Sequence, residues 1–208
     1  MKNIDKVKNI LKDRKLSTVG KHRFFSVLIP LIEINGELNI LYEVRSSNIR
    51  RQPGEVCFPG GAVEKDENPE ETALRETFEE IGVESDKIEV ISQGDSLISQ
   101  NNFTVFSFFG ILSEDVLGKL KLNRDEVAEV FTVPVRWFMN HEPELHTVDV
   151  RQFSRDDFPY EKANITPDYK WMRSSSEIPI YNYDNKAIWG MTGRMTRNFI
   201  QILKGEKE

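Results

Sequence analysis

The stretch from Asn68 to Gly82 is the most tightly specified part of this 208-residue chain. Asn68 is a good side-chain N-cap, Pro69 suits the first helical position, and Glu71 stands three residues after the cap. Gly82 supplies the residue on which a helix stops. The pattern predicts a helix over residues 69–81. Leu74, Phe78 and Ile81 form its expected apolar stripe. At about 100° per residue, Glu76, Glu79 and Glu80 fall together on the opposite side. Carboxylates so close repel one another unless something positive sits between them. Side-chain oxygens are also the ligands that a hard divalent cation prefers. The helix alone therefore allows two readings, a solvated acidic face or a metal platform.

Charge is distributed unevenly around this helix. The chain has 28 basic and 34 acidic side chains, a formal net charge of -6. Residues 61–90 hold eleven acidic and three basic side chains, a net of -8, whereas residues 1–23 hold eight basic and two acidic, a net of +6. The acidity thus belongs mostly to the helix and its flanking loops.

Several classes are excluded on composition. The longest apolar run, Phe24 to Ile32, contains Ser26 and Pro30 and falls far short of the ~20 residues of a membrane span. The first residues are charged, so no signal peptide is expected. The single Cys57 excludes an internal disulfide and a cysteine-based zinc cluster, and it suits a reducing compartment. The chain ends Gly-Glu-Lys-Glu rather than on a peroxisomal address, so a cytoplasmic location is expected. His141 and His146 do not form the zinc-binding His-Glu-x-x-His pattern and read as surface residues. Cys57 reads as a small loop or core residue rather than a nucleophile.

One domain spanning residues 1–208 is expected, since neither a repeat nor a linker is evident. Residues 1–21 read as a helical extension, with Ile4, Val7 and Leu11 as a stripe and Lys2, Lys6, Lys8 and Lys12 on a basic outer face. It is expected to cover one side of the domain. No aromatics interleave its lysines, so nucleic acid is not expected as a partner. Strands are predicted over Phe24–Ile34 and Glu37–Val44, joined by the hairpin pair Asn35-Gly36. Residues 45–68 read as mostly loop. Further strands are predicted near 88–93, 103–112 and 127–133, a short helix around Trp137, and a terminal helix over 188–203. Residues 141–185, with Pro143, Pro159, Pro167 and Pro179, resist assignment.

From Gly61 the chain reads Gly, five residues, Glu67, seven residues, then Arg75-Glu76-Thr77-Phe78-Glu79-Glu80-Ile81-Gly82-Val83. This resembles the 61–83 signature box of the Nudix hydrolases, which cleave nucleoside diphosphates linked to another group. Only Thr77 departs, where the family usually has an aliphatic residue. The resemblance implies an α+β Nudix fold: an α/β/α sandwich with a central mixed β-sheet and a loop–helix–loop catalytic motif. It implies Mg²⁺ or Mn²⁺ as cofactor, held by Glu76, Glu79, Glu80 and the Gly60 carbonyl. Glu79 and Glu80 are the catalytic candidates, and which of the carboxylates acts as base stays open. Glu67 and Arg75 are implied as the ion pair joining loop to helix, with Gly61 and Gly82 as structural positions. Glu126, ahead of a strand, is a candidate extra ligand or base, with a solvated loop carboxylate as the bland alternative.

Just upstream, Arg45-Ser46, Arg50, Gly54 and Phe58-Pro59-Gly60-Gly61 resemble the element of the coenzyme A diphosphatase branch. Tyr42 and Glu43 depart from its usual leucine and threonine. Two later segments, 127–134 and 188–194, are also similar to that branch. The resemblance implies cleavage of coenzyme A or an acyl derivative to 3′,5′-ADP and 4′-phosphopantetheine or its acyl form. Arg45, Ser46, Arg50 and Phe58 are the implied substrate-binding residues, with arginines suited to phosphate oxygens. ADP-ribose, NADH or a dinucleoside polyphosphate is the alternative substrate, and a ligand-sensing module without catalysis the alternative class. The expected partner is a small molecule, with no membrane; a homodimer is compatible with the sequence.

Overall fold

The computed structural model describes residues 4–14 and 17–206. Lys2 of the anticipated basic face lies outside the described residues. Helix α1 (Ile4–Lys12) buries none of its residues. It therefore does not cover the fold as expected, because its apolar stripe meets no partner surface.

The hairpin forms as read. Strands β1 (Arg23–Ile34) and β2 (Glu37–Arg45) are joined by Asn35 and Gly36, with φ of 53° and 78°. Two successive left-handed residues match the twist of the flanking strands, which is why asparagine followed by glycine serves here. The loop predicted over 45–68 contains two short strands, β3 (Val56–Cys57) and β4 (Gly60–Ala62). Helix α2 (Pro69–Ile81) follows, then β5 (Ile88–Gln93), β6 (Leu97–Ser99), β7 (Phe103–Leu112) and β8 (Val127–Pro134). β1 lies centrally, antiparallel to β2 and β4 and parallel to β7; β5 and β6 flank β7, and β3 and β8 flank β2. The sheet is thus mixed.

Strand alternation sends side chains to two faces. Leu28, Ile32 and Leu41 meet Ala73 and Ile81 of α2 on one face. Ile29, Leu31, Ile40 and Tyr42 pack on the other against α3 (Val135–Asn140) and α4 (Gly190–Lys204), through Phe138, Met195, Phe199 and Ile200. This is the expected α/β/α sandwich.

Two further expectations need correction. Phe78 is 49% exposed, whereas Thr77 is buried. The inner stripe runs through Ala73, Thr77 and Ile81, because the helix is turned toward the sheet by about one residue from the predicted face. The Thr77 hydroxyl donates to the Ala73 carbonyl at 2.6 Å, so its polarity is absorbed within the helix. The terminal helix starts at Gly190 rather than residue 188, since Ile188 is buried in strand β11 (Lys186–Ile188). The unassigned region holds β9 (Glu144–Arg151) and β10 (Arg173–Tyr183), which with β11 make a three-stranded sheet. Among the described residues no helix is long and apolar enough to cross a membrane.

Candidate active site

Helix α2 is fixed at both ends by the groups its sequence advertises. The Asn68 side chain accepts from the Glu71 amide at 2.9 Å, and Glu71 accepts from the Asn68 amide at 3.1 Å. Gly82 is left-handed, with φ of 74°. Beyond it, the Lys121 and Asn123 amides donate to the Ile81 and Glu80 carbonyls, each at 2.9 Å. Terminal carbonyls without helical partners are thereby satisfied. The same bonds hold the segment that carries Glu126 against the carboxylate end of α2.

Glu67 and Arg75 form the loop-to-helix clamp. Arg75 Nε donates to Glu67 Oε1 at 2.9 Å and an Nη donates to Oε2 at 3.1 Å, a two-pronged match of guanidinium and carboxylate. Thr72 Oγ1 adds a bond to Glu67 at 2.7 Å. Arg75 foremost, then Thr72 and the Glu64 amide, hold the Glu67 carboxyl down at about 2 against the effect of burial. Arg75 also donates to Glu76 at 2.8 Å and to Glu79 at 3.1 Å. It therefore partly neutralises the cluster it belongs to.

Glu80 is 4% exposed and sits on the inner side of α2. Its Oε2 accepts from the Gly60 amide at 2.8 Å, which ties the helix to β4. Burial raises its carboxyl to about 7; the Gly60 bond opposes this, and Glu76 and Glu126 push it further up. Glu76 is likewise raised, first by burial, with Arg75 opposing and Glu79 and Glu126 adding. The structure thus brings Glu76, Glu79, Glu80, Gly60 and Glu126 to one end of α2.

Sequence reasoning missed Glu43. On β2 it shares a face with Leu41 and Arg45, the face turned toward α2. It is 1% exposed. Burial, then Glu80, raise its carboxyl, Arg45 opposes, and Glu126 adds. The signal was available as a charged residue within the otherwise apolar run Ile40–Val44 of β2.

The residues expected to bind substrate divide. Arg45 and Phe58 line a cleft of about 540 Å³, and Gly60 and Gly61 form part of its wall. Phe58 is buried and stacks on Tyr42 with ring centres 5.0 Å apart, so it supports the cleft wall from the core. Arg50 is exposed and is not among the lining residues, whereas its neighbour Arg51 is. Ser46 is buried; its Oγ accepts from the Asn48 amide at 3.3 Å and its own amide donates to the Glu126 carbonyl at 2.7 Å, so it shapes the loop. Arg23, Arg194, Phe25, Phe103, Trp189 and Met191 also line the cleft, and none was anticipated. They come from chain segments far apart in sequence. Cys57 faces Glu43 at 3.9 Å, and burial pushes its thiol up, away from nucleophilic character. His141 stacks on Trp137 and His146 faces Glu144, both away from this end.

These donors suit a hard divalent cation. They are carboxylates, and one oxygen, Glu43 Oε1, is buried without a hydrogen-bond partner. A β-carbon on Gly61 would lie 2.3 Å from the Glu76 carboxylate, so only glycine leaves that group its position. Among the described residues no three such side chains already converge on one point. Arg75 engages Glu76 and Glu79 in this arrangement, so joint coordination requires side-chain rotation.

Comparison with known proteins agrees with this geometry. The NUDIX domain family matches residues 22–157. Nudix hydrolase 3 of Caenorhabditis elegans is 32% identical over 206 residues, covering 98% of this chain and 82% of that protein. The Mus musculus protein named peroxisomal coenzyme A diphosphatase NUDT7 is 36% identical over 157 residues, covering 74% of this chain and 65% of that one. In fold, a MutT/nudix family protein from Enterococcus faecalis superposes with a TM-score of 0.50 at 16% identity, covering 97% of this chain and 70% of that one. A family match running from the central strand through the capped helix and its loops means that the chain belongs to the Nudix hydrolases, enzymes that cleave pyrophosphate bonds.

Proposed function

We propose that the protein hydrolyses the pyrophosphate of coenzyme A or an acyl-coenzyme A. The products are 3′,5′-ADP and 4′-phosphopantetheine or its acyl form. The observation that carries this reading is the cleft: Arg23, Arg45, Arg51 and Arg194 share it with Phe25, Phe103, Trp189 and Met191. Coenzyme A combines three phosphate groups with an adenine ring and a long, largely neutral arm, so it needs both kinds of wall. The names carried by two relatives support the same substrate: NUDT7, and the C. elegans peroxisomal coenzyme A diphosphatase ndx-8 at 34% identity.

In this proposal Glu76, Glu79, Glu80 and the Gly60 carbonyl hold Mg²⁺ or Mn²⁺. A divalent cation there supplies charge neutralisation of the phosphates and acidification of water. Glu79 or Glu80 accepts the proton of the attacking water. The water oxygen bonds to one phosphorus, and the bridging oxygen leaves with the other phosphate. Arg75 and Glu67 keep α2 in register with the loop, and the Gly60 amide fixes Glu80. The arginines of the cleft hold the phosphates in place by charge-assisted bonds. One globular unit over residues 1–208 and a cytoplasmic address belong to the same proposal, the latter supported by the lone Cys57. Recovery of a tagged chain inside an organelle would overturn the address.

The test is incubation of purified protein with coenzyme A, ADP-ribose, NADH and a dinucleoside polyphosphate, each with Mg²⁺ or Mn²⁺, and product identification by mass spectrometry. 3′,5′-ADP from coenzyme A is expected, and its loss with EDTA. Turnover of ADP-ribose or NADH without turnover of coenzyme A would overturn the substrate.

A further inference from the structure

We propose that Glu43 is an additional metal-holding carboxylate of this site, acting with Glu80 at its inner end. The inference rests on the reading of the α2 carboxylates as a metal site. It concerns a residue that lies outside the helix and departs from the threonine usual at this point in the coenzyme A diphosphatase element.

Three observations carry it. The first is burial. Glu43 is 1% exposed, and its Oε1 has no hydrogen-bond partner within the structure. A buried carboxylate oxygen without a partner is costly, by an amount that a proton or a cation must offset. The second is position. β2 alternates, so Leu41, Glu43 and Arg45 share the face packed against α2, while Ile40 and Tyr42 enter the opposite core. Glu43 pairs in register with Cys57 of β3 and with Val130 of β8, so strands flank it on both sides and its side chain stands off the sheet on the face where Glu80 lies. The Gly60 amide, at 2.8 Å, holds Glu80 in that place. The third is charge. The groups facing Glu43 are Glu80, Glu126, Arg45 and the Cys57 thiol. Arg75, the other cation of the cluster, is committed to Glu67, Glu76 and Glu79. Arg45 alone therefore faces three carboxylates at the inner end. Threonine there would bring no charge. Glutamate brings an oxygen of the right chemistry and an excess of negative charge that suits a divalent ion.

The experiment is Mn²⁺ titration by calorimetry and by electron paramagnetic resonance of free Mn²⁺, on wild type, Glu43→Gln and Glu43→Thr, without substrate. Melting in EDTA establishes that each variant is folded. Glutamine preserves size and mimics a neutral acid, so it separates a ligand from a protonated buried group. We expect Glu43→Gln to weaken Mn²⁺ binding by about tenfold or more, the range that losing a supporting metal contact produces. If Glu43→Gln is unfolded, the same criterion passes to Glu43→Thr. Tight Mn²⁺ binding by wild type that the folded variant keeps within about threefold would overturn the role of Glu43 and leave the α2 site standing. Absence of Mn²⁺ binding by wild type would overturn both.

Discussion

Gly60 and Gly61 are neighbours, yet alanine should damage the protein in opposite ways at the two positions. At Gly60, φ is 157°, and an added β-carbon would lie 2.3 Å from the Ser26 carbonyl and 2.7 Å from the Val27 α-carbon. Both belong to the backbone of β1, the central strand, which cannot yield without shifting its partners. Overpacking of this kind costs about 3 kcal/mol. For a chain of this size that is a melting decrease of roughly 6–12 °C. At Gly61, the three nearest atoms to the added carbon are all of the Glu76 carboxylate, the nearest at 2.3 Å. That group ends a flexible side chain and can rotate away. The loss is then its 2.8 Å pair with Arg75, worth about 0–1 kcal/mol at a partly exposed site.

At Gly61 the damage falls on function rather than on folding. Gly61→Ala displaces a carboxylate proposed to hold the cation, so kcat/KM should fall by about 100-fold, as a misplacement of about 1 Å can produce. Mn²⁺ affinity should weaken by about tenfold or more. Melting in EDTA, Mn²⁺ calorimetry and coenzyme A turnover measure the three quantities on one pair of variants. Retained Mn²⁺ affinity in Gly61→Ala, or melting as low as that of Gly60→Ala, would refute this division of roles.

Two further outcomes follow from single contacts. Glu67 titrates at about 2 in the fold against 4.5 ordinarily, so its contribution is complete above pH 4.5 and is lost as pH falls toward 2. Glu67→Gln should lower stability by about 1–2 kcal/mol at neutral pH, allowing for screening, and the gap to wild type in urea midpoints should close across that acid window; a pH-independent gap would refute this. The buried Tyr42 hydroxyl meets Thr196 Oγ1 at 3.0 Å. Thr196→Val strands that hydroxyl and should cost about 1–3 kcal/mol, most of which Tyr42→Phe in the same chain should restore; equal urea midpoints for the single and double variants would count against it.

Local rules made part of this molecule readable. The α2 boundaries, its capping box and the Asn35-Gly36 turn depend on neighbours in sequence, and all appear where those neighbours put them. What escaped depends on distant partners. β9 is exposed at every position, so it carries no alternation of burial to read, and β10 contains Pro179, a residue that argues against a strand. The rotation of α2 is another instance: Phe78 looks more apolar than Thr77, but the sheet above has room for the smaller side chain. In the cleft, Arg51 rather than Arg50 lines the wall, a choice made by the loop and not by spacing. Glu43 was visible as a departure from a familiar pattern and as a charge in an apolar run, and its meaning came from what β3 and α2 place opposite it.

The charge arithmetic acquires a direction once these positions are known. Part of the -8 of residues 61–90, the carboxylates of Glu76 and Glu80, stands beside Gly60 and Gly61 in the wall of a cleft whose lining includes Arg23, Arg45, Arg51 and Arg194 against a single acid, Glu55. An anion of several phosphates is drawn to the arginines and repelled by the carboxylates. The two regions meet at Gly60 and Gly61, where backbone without side chains allows closest approach. Under the proposed function, a cation held by the carboxylates would convert that junction from repulsive to attractive, and cation and substrate would then strengthen one another's binding by the reciprocity that any such coupling obeys. If Glu43 is the additional carboxylate proposed above, it would deepen both sides of this relation: the metal-free junction would repel phosphate more, and the loaded one would hold its cation more firmly.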